Sequence, residues 1–213
     1  MDNSLSKRFE YAQTTSQEKE IFINQYIDDL TKTLKTVKTE DIIKTIDMIE
    51  EKLLNGNKIF IAWNWWSAAT SSHMVSDLQK TTLWKNPQAK NESIKFKAIS
   101  LNDNMPVITA RANDEWFDYI FSEQLETLWD KWDLLIIITW SGNSKNIIMA
   151  LEKAKQMWID TVWFLWFQWG KAKELLDHHV LVESDKYWPI EDIHWILNHL
   201  MTAHFQKQVK EVK

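Results

Sequence analysis

The chain has 213 residues, 45% of them apolar and 26% charged, with a formal net charge of −5; it is long enough to bury one real core and has no basic field for direct nucleic-acid binding. It has no cysteine, which excludes disulfides, thiolate metal sites and cysteine nucleophiles. Fourteen tryptophans stand against three glycines, where average usage would give about 15 glycines.

In chain order, residues 1–16 read as a polar tail without an apolar leader. No later apolar run approaches the ~18 residues of a membrane span, so a soluble, cytoplasmic protein with no membrane partner is expected. Helices follow over 17–55. Thr39 is read as the N-cap of the second, with Glu40 and Asp41 in its first turn, Ile42, Ile43, Ile46, Ile49 and Leu53 at helical spacing, and Gly56 ending it. From there short apolar runs alternate with helical ones. The predicted strands are Lys58 to Ala62, Ile94 to Leu101, Leu134 to Thr139, Asp160 to Leu165 and His179 to Val182, with a last helix from Pro189 to Lys207. This alternation predicts an α/β fold in which helices cover both faces of a parallel sheet, as one domain over 17–207, with 208–213 as a C-terminal tail.

The tryptophans fall where the backbone calls for glycine. Trp63, Trp65 and Trp66 crowd a strand-to-helix turn; Trp158 closes a helical run where a C′ glycine belongs; Trp129 and Trp132 flank Asp130-Lys131 as turn residues would. Aromatics that stack on sugars would instead be scattered over a binding face. The expectation is therefore that most or all of these tryptophans are glycines in the natural protein. A stop codon reassigned to glycine in the source, but translated under a table that reads it as tryptophan, leaves this signature. Trp195, inside a helix, is the least diagnostic.

Ligands of parallel sheets sit at the carboxyl ends of the strands, and two loops there suit phosphate. One is Asn64 to Ser67, which reads with glycines as Gly-Asn-Gly-Gly-Ser when Trp63 is included; the other is Thr139-Trp140-Ser141-Gly142-Asn143-Ser144. Hydroxyls and free backbone N–H groups at a helix N-terminus satisfy phosphate oxygens; one Ser/Gly turn before a helix is more often a plain N-cap, but two in the same parallel sheet favour phosphate. His73 and Asp77, four apart, share one helix face and suit an N/O metal site, although such a pair taken alone reads more often as a solvated helix surface. Near the end of the chain, Glu191 and His199 are eight residues apart, roughly 80° round a helix, so convergence on one site is not forced. Asp192 is placed to orient the His199 imidazole, and His194 is either a neighbour of the ligands or a locally satisfied helix histidine.

Five segments together carry a family resemblance: Asn64-Trp65-Trp66-Ser67, His73 to Leu78, Arg111 to Phe117, Ser141-Gly142-Asn143-Ser144, and Ile190 to His199. Over roughly 41–205 the chain resembles the SIS (sugar isomerase) domain family, and within it the phosphoheptose isomerase group. Where that family has glycine, this chain repeatedly has Trp. The resemblance implies a three-layer α/β/α sandwich with a central parallel sheet, flavodoxin-like, plus N-terminal helices. It implies zinc-dependent aldose/ketose isomerisation of a sugar phosphate, sedoheptulose 7-phosphate to D-glycero-D-manno-heptose 7-phosphate, through an enediol. It also implies a homotetramer with active sites shared between subunits.

Carried over by the resemblance, His73, Asp77, Glu191 and His199 are expected to hold Zn2+, and Asp77 and His199 to catalyse. Asn64, Trp65, Trp66, Ser67, Thr139, Trp140, Ser141 and Ser144 fall at substrate and phosphate positions, as do Asn113, Asp114 and Glu191. The chain departs from the family pattern at Asp77, commonly glutamate, and at Glu191, commonly glutamine. Other members of the superfamily are non-catalytic phosphosugar- or protein-binding regulators; persistence of the His/carboxylate/His set here favours the enzyme.

Overall fold

The computed structural model describes residues 11–64, 68–83, 95–139, 142–166 and 170–209. The apolar runs form five strands: β1 (Lys58–Trp63), β2 (Lys97–Ser100), β3 (Leu134–Thr139), β4 (Asp160–Trp166) and β5 (His178–Val182). They make one wholly parallel sheet in the order β2-β1-β3-β4-β5. Among the described residues seven α-helices accompany them: α1 (Ser16–Leu34), α2 (Thr39–Asn55), α3 (Ala68–Gln79), α4 (Met105–Asp114), α5 (Ser122–Leu128), α6 (Lys145–Gln156) and α7 (Tyr187–Gln208).

Strand residues buried on both sides explain the near-continuous apolar runs. Ile59, Ile61, Leu134, Ile136, Ile138, Val162 and Phe164 face one core, shared with Ile46 and Ile49 of α2, Met74 and Leu78 of α3, and Ile190, Ile193, Leu197, Met201 and Phe205 of α7. The alternate residues Phe60, Ala62, Leu135, Ile137 and Trp163 face a second core, built with Leu125 of α5 and Ile147, Ala150, Leu151 and Ala154 of α6. The layers are thus helix, sheet, helix, as the sequence predicts.

Several local expectations shift. β2 begins at Lys97, because Lys95 and Phe96 are outside the ladder, and Ile94 lies outside the described residues. Thr39 is the first helical residue of α2, after an N-cap at Lys38 that makes no side-chain capping bond. The capping box stands instead at α1, where the Thr15 hydroxyl accepts from Glu18 N–H and the Glu18 carboxylate accepts from Thr15 N–H. α7 starts two residues before the expected Pro189.

Among the described residues, positive φ occurs at three glycines, Gly56, Gly142 and Gly170, and at three tryptophans, Trp116, Trp132 and Trp158. The ends of α2 and α6 make the comparison direct. At α2, Asn57 N–H bonds to Lys52 O (2.9 Å) and Gly56 N–H to Leu53 O (3.3 Å); at α6, Ile159 N–H bonds to Ala154 O (3.0 Å) and Trp158 N–H to Lys155 O (3.4 Å). Both are Schellman motifs, and Trp158 holds the left-handed place that Gly56 holds in the other. Trp129 is different: its φ is −75° in extended backbone, a conformation open to any residue.

Candidate active site

The carboxyl ends of β1 and β3 adjoin where the sheet order reverses direction, and each leads to a helix N-terminus. After β1, the chain passes through Asn64 into α3. The end of β1 is held by Asn102, whose amide donates to Trp63 O (2.6 Å) and whose Oδ1 accepts from Trp63 N–H (3.0 Å). Ser71 on α3 donates to the same Asn102 Oδ1 (3.0 Å) and lies 3.0 Å from the Ser100 hydroxyl. After β3, Ser144 is the N-cap of α6; its side chain makes no capping bond, while its carbonyl accepts from Ile147 and Ile148 N–H. Gly142 is braced by Ala172 N–H, and Gly170 approaches it so closely that a Cβ at Gly170 would stand 2.4 Å from the Gly142 backbone.

A reciprocal amide pair ties the two loops together. Asn64 Nδ2 donates to Asn146 Oδ1 (3.0 Å), and Asn146 Nδ2 donates to Asn64 Oδ1 (2.8 Å). Asn146 is buried in the first turn of α6. Trp65, Trp66, Ser67, Trp140 and Ser141 lie outside the described residues; Thr139 is the last residue of β3.

The second part of the site forms where α7 crosses α3. The apolar spacing of α7 buries one face against the sheet, which turns His199 toward α3. There the Nε2 atoms of His73 and His199 are 3.0 Å apart, and Asp77 Oδ2 is 3.3 Å from the first and 3.9 Å from the second. One donor atom from each of these three residues falls within 4.8 Å of the others, a set able to hold a metal ion. Asp77 is 10% exposed at its side chain, against 39% for His73 and 58% for His199, so the carboxylate lies inward and the imidazoles outward. Trp195 packs beside them, with its ring centroid 4.5 Å from that of His73.

Not every expected residue joins this cluster. Glu191 is outside it: its Oε1 accepts from Tyr187 Oη at 2.7 Å, one turn back along α7. Burial, with that bond, pushes the Tyr187 phenol up to about 12. Asp192 accepts from Tyr26 Oη of α1 instead of orienting His199. The Tyr26 phenol is pushed up to about 12 by burial and by that carboxylate. His194 is fully buried between Trp63 and Phe164, and neither ring nitrogen has a partner among the described residues, so it is neither a ligand neighbour nor locally satisfied. Asn113 and Asp114 sit at the exposed end of α4, where Asn113 Nδ2 donates to Asp114 (2.7 Å).

Three polar residues of the site escaped the sequence reading: Asn102, Asn146 and Asn198. The last donates its amide N–H to Asp77 Oδ2 at 3.0 Å.

Comparison with known proteins identifies relatives of the whole fold. The SIS domain family model matches residues 24–163. A phosphoheptose isomerase of Helicobacter pylori is 35% identical over 162 residues, covering 76% of this chain and 81% of its own. A probable phosphoheptose isomerase of Thermoplasma acidophilum is 31% identical over 179 residues, covering 84% and 94%. The solved structure of a phosphoheptose isomerase from Francisella tularensis aligns with a TM-score of 0.77 at 25% identity, over 92% of this chain and 100% of that one. With a wholly parallel five-stranded sheet, a family match over most of the chain and relatives at 31–35% identity, the chain belongs to the SIS-domain family, in its phosphoheptose isomerase group.

Proposed function

We propose that the protein isomerises sedoheptulose 7-phosphate to D-glycero-D-manno-heptose 7-phosphate, with zinc bound by His73, Asp77 and His199. The observation that carries this reading is the His73–Asp77–His199 cluster, built on α7 and on α3, the helix that follows β1 at the switch point of the sheet. Two imidazoles and a carboxylate form a donor set suited to zinc, and three protein ligands leave a position for substrate. Donor atoms about 2.0–2.1 Å from a tetrahedral zinc stand roughly 3.3 Å apart. The separations here, 3.0, 3.3 and 3.9 Å, fit that spacing. Bound zinc would polarise the carbonyl and the neighbouring hydroxyl of the sugar.

The chain's own groups do the rest. The loops after β1 and β3, with the hydroxyls of Ser67, Thr139, Ser141 and Ser144, hold the phosphate and so fix the reacting carbons. Asp77 takes the proton from C1 of the ketose and a proton returns at C2; His199 moves the proton on the oxygens. Asn64, Asn113, Asp114 and Glu191 serve the sugar, the middle two across a subunit boundary in a cytoplasmic homotetramer. The exposed apolar residues Ile21, Phe22, Ile23 and Ile27 of α1 support self-association.

The functional form carries glycine at most tryptophan positions. Among the described residues, three left-handed tryptophans and a core indole N–H at Trp163 without a partner support that reading. A glycine-restored chain should turn over sedoheptulose 7-phosphate, lose activity on chelation and regain it with zinc. His199→Ala should lower kcat about 10²- to 10⁴-fold. Tight binding of C5 to C7 sugar phosphates without turnover would favour a phosphosugar-binding regulator.

A further inference from the structure

We infer that Asn198 is a positioning residue for Asp77, fixing which carboxylate oxygen faces the two imidazoles. The inference rests on His73, Asp77 and His199 being the metal-binding and proton-transferring set. Asn198 is 3% exposed, and its Nδ2 donates to Asp77 Oδ2 at 3.0 Å across 121 residues of sequence. The donor end must face the carboxylate, because an amide oxygen there would oppose a negative oxygen. Among the described residues the other end of the amide, Oδ1, is buried with no partner.

That asymmetry argues against a purely structural asparagine. A buried acceptor left unpaired is costly, and an apolar side chain of similar shape would avoid the cost between Leu197 and Met201, which pack in the same core. What the amide supplies is one N–H to one oxygen of a carboxylate.

The consequence lies in the torsion of Asp77. Rotation about Cβ–Cγ is soft and nearly two-fold, so an unrestrained aspartate exchanges its two oxygens. Asn198 occupies one lone pair of Oδ2 and holds that oxygen between His73 and His199. Oδ1, which has no hydrogen-bond partner among the described residues, is left for proton transfer. Since Asn198 and His199 are consecutive on α7, one helix places both the imidazole and the restraint on the carboxylate.

The test is Asn198→Leu, read first by zinc affinity in competition with a chromophoric chelator. Loss of a hydrogen bond to a ligating carboxylate should weaken zinc about 10- to 100-fold. The melting temperature of the metal-free protein should change little, since removal of the orphan acceptor offsets loss of the N–H to the buried Asp77 carboxylate. In turnover, kcat should fall while KM for the sugar phosphate changes less than about threefold, and Asn198→Gln, which keeps the amide, should recover part of the zinc affinity. If leucine is not accommodated, Asn198→Ala carries the same metal expectation. Zinc affinity within about threefold of the parent, or a lower metal-free melting temperature with zinc affinity unchanged, overturns the inference. A parent that binds zinc but isomerises no sugar phosphate removes the proposed function and leaves this result standing; a parent that binds no zinc removes both.

Discussion

Trp158 and Gly56 occupy the same place in the same helix-ending motif, and only one of them suits it. A left-handed L-residue costs about 1–2 kcal/mol, which glycine avoids. Trp116→Gly, Trp132→Gly and Trp158→Gly should therefore each stabilise the chain by about 1–2 kcal/mol in urea melts. Trp129→Gly, at φ −75°, should not. Equal responses at all four positions would contradict the backbone argument. Trp132 and Trp158 were readable because turns and helix ends carry their own spacing; Trp129 was read the same way but lies in extended backbone, and nothing local marked Trp116. His73 and Asp77 were readable for a similar reason, as i and i+4 on one helix. Asn198 was not, because its partner is 121 residues away and no local pattern pairs them. Helical spacing gave the direction of Asp192 but not its neighbour, since Tyr26 takes its carboxylate; Glu191, expected only from the resemblance, accepts from Tyr187 here.

At the scale of elements, α7 sets the site and also carries a liability. Burial holds the His194 imidazole down at about 3, against 6.5 for the free group, so it stays neutral in the folded protein over most of the range where the unfolded chain is protonated. Between those values the unfolded state binds more protons, and stability must rise with pH. Below about pH 6.5 this one group should remove about 1.4 kcal/mol per pH unit, or roughly 2 kcal/mol between pH 6.5 and 5. Denaturant melts of metal-free protein at pH 7 and pH 5 test this, with His194→Phe expected to be flatter by that amount. An unchanged difference would mean that the ring gains a proton while buried. The strands and helices themselves were legible, since parallel strands covered on both faces leave apolar runs that a sequence shows plainly. Their ends were less so: capping at α2 depends on backbone that Thr39 does not reveal, and β2 is cut short by its pairing with β1.

Over the whole molecule, the order β2-β1-β3-β4-β5 brings the loops after β1 and β3 side by side, and the Asn64–Asn146 pair joins them. Strand alternation predicts a parallel sheet without giving this order, and only the order brings together two loops some 75 residues apart, as the proposed phosphate site requires. Outside that body, α1 packs on α7 while Ile21, Phe22, Ile23 and Ile27 remain exposed. Sedimentation should show a tetramer that Ile23→Glu with Ile27→Glu breaks into smaller species; an unchanged tetramer would move the interface elsewhere. Proton transfer at C1 and C2 of a ketose phosphate is the central claim, and NMR of sedoheptulose 7-phosphate in D2O with the glycine-restored chain tests it most directly. Zinc-dependent formation of the aldose with deuterium at C2, lost in His199→Ala, is expected; saturating binding with neither conversion nor deuterium exchange would contradict it.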